Sequence, residues 1–140
     1  MKIRQLETDD VVAVVELWRA VFPEYVDPSR PQRDPRASAA RKLALADGLF
    51  WGCEVEGRLV ATAMAGWDGH RGWLYSVGVD PAWRGRGIAA RLVEHAEAEL
   101  KRLGCPKLNL QVLESNHRGR AFWRALGYEL DEVVSLGKRL

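Results

Sequence analysis

The sequence predicts one mixed α/β domain over residues 1–140, with the element order β-α-α-β-β-β-α-β-α-β-β. Three observations carry that prediction. Two amphipathic stripes of helical period flank a block of β-rich runs. Within the block, the breaks "EG" and "WDGHRG" divide three runs into a meander of antiparallel strands. No internal repeat, low-complexity tract or linker interrupts the 140 residues, a length that suits one domain able to bury a core without staples.

The elements follow in order. Lys2 to Leu6 alternates, with Ile3 and Leu6 apolar, and reads as a first strand. Thr8 or Asp9 offers an N-cap oxygen to "VVAVVELWRAVF", whose stripe Val11, Val14, Val15, Trp18, Val21 and Phe22 has helical spacing; Pro23 ends it. Pro23 to Pro35 holds four of the six prolines and reads as an extended loop. Asp34 and Pro35 supply an N-cap and a first helical position for "RASAARKLALA", which Gly48 can terminate.

"LFWGCEVEGRLVATAMAGW" is then a hairpin turning at Glu56-Gly57, and "WLYSVGV" adds the third strand. Ile88, Leu92, Ala96, Leu100 and Leu103 share one face of a long helix that Gly104 caps. Lys107 to Val112 alternates as a strand. A short helix from about Arg118 to Leu126 ends at Gly127, and Tyr128 to Leu140 suits a closing strand pair.

Bulk properties exclude several classes. Lysine and arginine total 21 against 19 acidic residues, a net charge of +2, too small to argue for nucleic acid. Cys53 and Cys105 stand far apart without a metal-ligand pattern, so no metal site is expected and both read as reduced thiols of a cytoplasmic protein. The first residues lack a signal-peptide core and no apolar run reaches membrane-span length, so no membrane association is expected.

The most informative stretch is "RGRGIA", Arg84 to Ala89, between a strand and the long helix. Gly85 and Gly87 remove side chains that would keep a ligand off the backbone, and the helix behind them offers unpaired N–H groups to an anion. Arg84 and Arg86 add mobile positive charge at the rim. Neither the dinucleotide-fold glycine spacing nor the ending of a P-loop is present. A phosphate cradle, an arginine-glycine RNA tract and a plain turn are the three readings of these six residues alone.

The longer run "LYSVGVDPAWRGRGIAARLVEHAEAEL" resembles the acetyl-CoA-binding core of the GNAT N-acetyltransferases. Arg84, Gly87 and Ala89 fill the places of that family's Gln/Arg-x-x-Gly-x-Gly/Ala pattern. "ESNHRGRAFWRALGY" is similar to its second cofactor segment, an asparagine followed by a short helix ending in Gly-Tyr or Gly-Phe. "AGWDGHRG", "GCPK" and "SLGKRL" resemble the small bacterial YpeA-type members.

The resemblance implies a GNAT-like mixed sheet of about seven strands with a splay between the fourth and fifth. The cofactor that the resemblance implies is acetyl-CoA. Backbone groups of Val77, Gly78 and Val79 would pair with the pantetheine arm, and the Val77 N–H would act as oxyanion donor. The amides of Arg84, Gly85, Arg86, Gly87, Ile88 and Ala89 would hold the pyrophosphate. Asn116 would cap the short helix and reach the cofactor. Transfer in the family is direct, so Cys53 and Cys105 are not needed as acyl carriers.

Two positions depart from the family pattern. Trp123 stands seven residues after Asn116, at the cofactor-facing place where many members carry a tyrosine acid. An indole N–H is no useful acid near neutral pH. Gln111, five residues before Asn116, replaces the glutamate base of some members. Glu114 and Tyr75 are therefore the candidates for proton transfer, with Asp68 and His70 behind them. Trp51, Trp67, Trp73 and Trp83 could wall an acceptor site or simply pack. The proline-rich loop, with Glu24, Tyr25 and Asp27 set against Arg30, Arg33 and Arg36, lies where the family admits the acceptor.

The expected function is an acetyl-CoA-dependent N-acetyltransferase acting on a primary amine of a small molecule or protein, as a monomer or homodimer. A non-catalytic acyl-CoA-binding regulatory or sensory module is the alternative. A nucleic-acid binder fits neither the charge nor the folded setting of the arginines.

Overall fold

The computed structural model describes residues 1–31 and 33–140. They form two compact units, Met1–Leu110 and Gln111–Leu140. In the first, the expected stripe winds as α1, Val11–Val21, burying Val11, Val14, Val15, Leu17 and Trp18. Asp34 caps α2, Pro35–Ala44, by accepting from the Arg36 N–H. This helix stops well before Gly48, and Ala46 takes the left-handed conformation at φ 51°.

A five-stranded sheet has the order β1-β2-β3-β4-β5. β1 is Lys2–Gln5, β2 Phe50–Val55, β3 Arg58–Trp67, β4 Gly72–Val79 and β5 Leu108–Asn109. The first four pair antiparallel, and β4 pairs with β5 in parallel. Glu56 and Gly57 make the β2–β3 turn, both at positive φ, as a two-residue hairpin requires.

Adjacent strand residues point to opposite faces, and the two faces carry different helices. Phe50 meets Trp18 of α1 at 5.7 Å between ring centroids, whereas Trp51 meets His95 at 5.4 Å. His95 lies on α3, Ile88–Arg102, which buries Ile88, Leu92, Val93, Ala96 and Leu100. Burial of each large aliphatic side chain stabilises by roughly 1.5–3 kcal/mol. Gly104, at φ 94°, ends α3 while the Cys105 N–H returns to Leu100 O. Among the described residues no helix is long and apolar enough to cross a membrane.

The second unit holds one helix, α4, His117–Ala125, closed by Gly127 at φ 93° with the Tyr128 N–H on Trp123 O. Two expectations fail here. The sheet has five strands, not about seven, because the tail from Tyr128 to Leu140 forms no strand among the described residues. Its alternation supplies a pattern, but strand backbone also needs a hydrogen-bonding partner. Val133, Val134 and Leu136 accordingly lie exposed. The strand expected over Lys107 to Val112 shrinks to Leu108–Asn109, the two residues opposite Gly72 and Trp73.

Candidate active site

The β4 strand carries an irregularity at its centre. Tyr75 stands opposite Met64 and Gly78 opposite Thr62, so Ser76 and Val77 together face the single residue Ala63. This is a β-bulge, and Ser76 adopts φ 48° within it. A non-glycine residue there costs roughly 1–2 kcal/mol, which the surroundings must offset. The offset is visible. The Thr62 hydroxyl donates to the Ser76 carbonyl at 3.0 Å and accepts from the Trp18 indole N–H at 2.9 Å. Both side chains are fully buried.

Farther along, β4 closes against α1 at Gly78. A Cβ there would stand 2.7 Å from Val21 Cγ1 and 2.8 Å from Phe22 Cζ, so glycine is required for packing. On its other edge β4 pairs with β5 only at Gly72 and Trp73, while β4 itself runs on to Val79. Tyr75 and Trp73 stack on the face shared with Met64, centroids 6.4 Å apart. Tyr75 is 47% exposed, yet partial desolvation, and secondarily the charge of Asp68, pushes its phenol above the ordinary pKa.

After Val79 the chain turns through Pro81–Trp83, where the Asp80 carboxylate accepts from the Ala82 N–H and from Arg58. Gly85 and Gly87 follow at φ 76° and 75°. Gly87 is the N-cap of α3 and, unlike Asp34 on α2 and Asn116 on α4, gives no side-chain hydrogen bond. The first helical bond runs from the Arg91 N–H to Gly87 O at 3.2 Å. The N–H groups of Ile88, Ala89 and Ala90 therefore lack helical partners at the positive end of a 15-residue helix.

A Cβ on Gly85 or Gly87 would meet nothing within 4 Å, so the cradle opens to solvent. Its chemistry suits a pyrophosphate. The Ile88 side chain is buried, which leaves its N–H as the group it can present at the cradle. The arginines are more constrained than the sequence suggests. Arg84 Nε donates to Val79 O at 3.3 Å, and the Arg86 guanidinium lies 4.5 Å above the Trp83 ring. Both charges are held at the rim rather than mobile.

In the second unit, Asn116 Oδ1 accepts from the Gly119 N–H at 2.9 Å, leaving its Nδ2 as a donor. Trp123 packs edge-on against Phe122 and Tyr128 at 5.0 and 5.1 Å. Glu114 is exposed, with its carbonyl accepting from Arg120. The Gln111 side chain donates to Ser135 Oγ.

The remaining candidates have structural employment. Asp68 accepts the His70 and Arg71 N–H groups, which hold its carboxyl below the usual range and disfavour it as a base. Burial raises the Cys53 thiol, consistent with an inert core residue. Cys105 Sγ contacts Lys107 O and fills the space beside Gly72. Trp51 is core. In the proline-rich loop, a cleft of about 280 Å³ is lined by Arg19, Tyr25, Asp27, Arg30, Arg33 and Asp34.

The hydrogen-bonded link of Trp18 and Thr62 to the bulge is not legible in the sequence, because each residue also fits an ordinary helix or strand pattern. A hydroxyl amid the small apolar run "VATAMA" was the available signal.

Comparison with known proteins adds an independent line. The model of the "Acetyltransferase (GNAT) family" matches residues 11–128. An acetyltransferase of Yersinia pestis (strain Pestoides F) is 42% identical over 140 residues, covering 100% of this chain and 96% of that protein. A GCN5-related N-acetyltransferase from Ralstonia eutropha superposes with TM-score 0.75 at 27% identity, covering 98% of this chain and 97% of that one. The PaiA N-acetyltransferase from Thermoplasma acidophilum, solved in complex with coenzyme A, gives TM-score 0.81 at 18% identity over 95% of this chain and 92% of its own. With the family model spanning most of its length and a close relative covering all of it, this chain belongs to the GNAT family and is an N-acetyltransferase.

Proposed function

We propose that the protein transfers an acetyl group from acetyl-CoA directly to a primary amine of a small molecule or protein. The observation that carries this reading is the uncapped start of α3, entered through two glycines at positive φ immediately after a bulged strand. The GNAT relative solved with coenzyme A supports the choice of cofactor class. The family model runs from residue 11 to 128, which supports reading residues 1–140 as one functional domain.

Bound acetyl-CoA supplies an activated acetyl thioester. The chain's own residues do the rest. N–H groups from Arg84 through Ala89, with the two held guanidiniums, bind the pyrophosphate. Backbone groups of Val77, Gly78 and Val79 receive the pantetheine amides, and the Val77 N–H is the oxyanion donor. Tyr75, kept protonated by its raised pKa, is the proton donor to the leaving thiolate, and Glu114 is the acceptor of the amine's proton. Asn116, through its Nδ2, and Trp123 are the cofactor-binding side chains of the second cofactor segment.

Incubation with acetyl-CoA and a panel of amines and peptides tests the function through thiol release above the no-amine background. A protein that binds acetyl-CoA but releases no thiol across the panel would favour the non-catalytic module. Gly87→Val should weaken coenzyme A binding at least tenfold by calorimetry; unchanged affinity would refute the pyrophosphate assignment.

A further inference from the structure

The oxyanion role assigned to Val77 depends on a backbone shape that its own sequence does not favour. Ser76 has φ 48° without glycine's freedom, and its carbonyl is opposite no single partner on β3. Something must hold the bulge in register. The groups in place to do so are Thr62, on β3 one position along from the bulge and opposite Gly78, and Trp18, reaching in from α1.

The direction of the hydrogen bonds follows from their chemistry. An indole nitrogen can only donate and a peptide carbonyl can only accept. Between them the Thr62 hydroxyl must accept from Trp18 Nε1 and donate its proton to Ser76 O. A rotor that could otherwise point several ways has one satisfied orientation. Thr62 and Trp18 are both 0% exposed, so water does not substitute for the bond between them. Loss of the hydroxyl would leave a buried indole N–H and a buried-side carbonyl without partners.

We infer that Thr62, oriented by Trp18, is a positioning residue for acetyl transfer: its hydroxyl fixes the Ser76–Val77 bulge and so aims the Val77 N–H at the reacting carbonyl oxygen. Neither side chain is required to touch substrate. This rests on the functional reading above. The pyrophosphate cradle is a separate part of the chain, at Arg84 to Ala89, so the relay leaves that contact alone and bears on the chemical step and on the pantetheine contacts beside Val77.

Thr62→Val keeps the shape and removes the donor. The expected result is a kcat about tenfold or more below wild type, a larger change than any rise in the KM for acetyl-CoA, while Thr62→Ser restores kcat to within about threefold. A changed amide chemical shift at Val77 in Thr62→Val, and not in Thr62→Ser, is the accompanying signature. Trp18→Phe frees the hydroxyl to turn away and should lower kcat about two- to fivefold. It carries the test if Thr62→Val does not fold.

Wild-type kcat in folded Thr62→Val overturns the inference and leaves the functional reading intact. If that variant does not fold, wild-type kcat in Trp18→Phe does the same. A wild-type protein that acetylates no amine overturns the functional reading and this inference together.

Discussion

Tyr25 stacks on Trp18 with ring centroids 5.4 Å apart and planes 9° from parallel. The proline-rich loop is thereby fastened to the same indole whose N–H serves Thr62. The loop's start is thus part of the core's edge. Tyr25→Ala should cost about 1–3 kcal/mol in urea unfolding, while Tyr25→Phe, which keeps the ring, should stay within about 0.5 kcal/mol of wild type.

Glycine at 78 answers to packing, and the answer can be measured. Gly78→Ala drives a methyl into Val21 and Phe22 and should destabilise by about 1–3 kcal/mol. Adding Phe22→Leu withdraws the ring edge, so the double variant should be more stable than the two single losses sum to. Strict additivity in denaturant unfolding would count against the contact.

Arg4 bridges β1, β2 and the start of α1 through Asp10 at 2.7 Å and Glu54 at 2.6 Å. Hydrogen bonding to Arg4 is the main cause holding both carboxyls below their ordinary pKa values. A carboxyl depressed in the folded state adds stability above its unfolded pKa, and that stability is lost as pH falls through the folded value. Melting temperatures should therefore fall below about pH 4, the ordinary aspartate and glutamate range. Asp10→Asn should flatten that limb without altering its neutral-pH slope.

The proposed acid role of Tyr75 can be tested directly, because its phenol is protonated at neutral pH. Because its pKa lies above the ordinary value, it stays protonated through the neutral range. Tyr75→Phe preserves the stack on Trp73 and should lower kcat about ten- to a hundredfold at every pH from about 6 to 9, with no new titration. An unaffected rate would move the acid role elsewhere, and Trp123→Tyr tests the position where family members carry that acid.

Legibility divided along physical lines. The α3 stripe, the Glu56-Gly57 turn and the glycines before α3 could be read because local periodicity and glycine's φ freedom are written in residue type. The bulge could not, since Ser76 at φ 48° opposes the preference of serine and is imposed by Thr62, 14 residues away. The tail erred the other way. Val133, Val134 and Leu136 have strand-like character, but strand formation is decided by a partner, and local sequence names none. Restraint of Arg84 and Arg86 likewise came from a carbonyl and a ring brought near by folding.

The guanidinium of Arg86 resting on Trp83 gives the phosphate cradle an optical readout of its own. An anion that draws Arg86 off the indole changes the charge above that ring, and with it the emission of Trp83. The remaining tryptophans contribute a background that Trp83→Phe isolates by subtraction. Occupancy of the cradle can then be followed by light alone, before any acceptor amine has been identified.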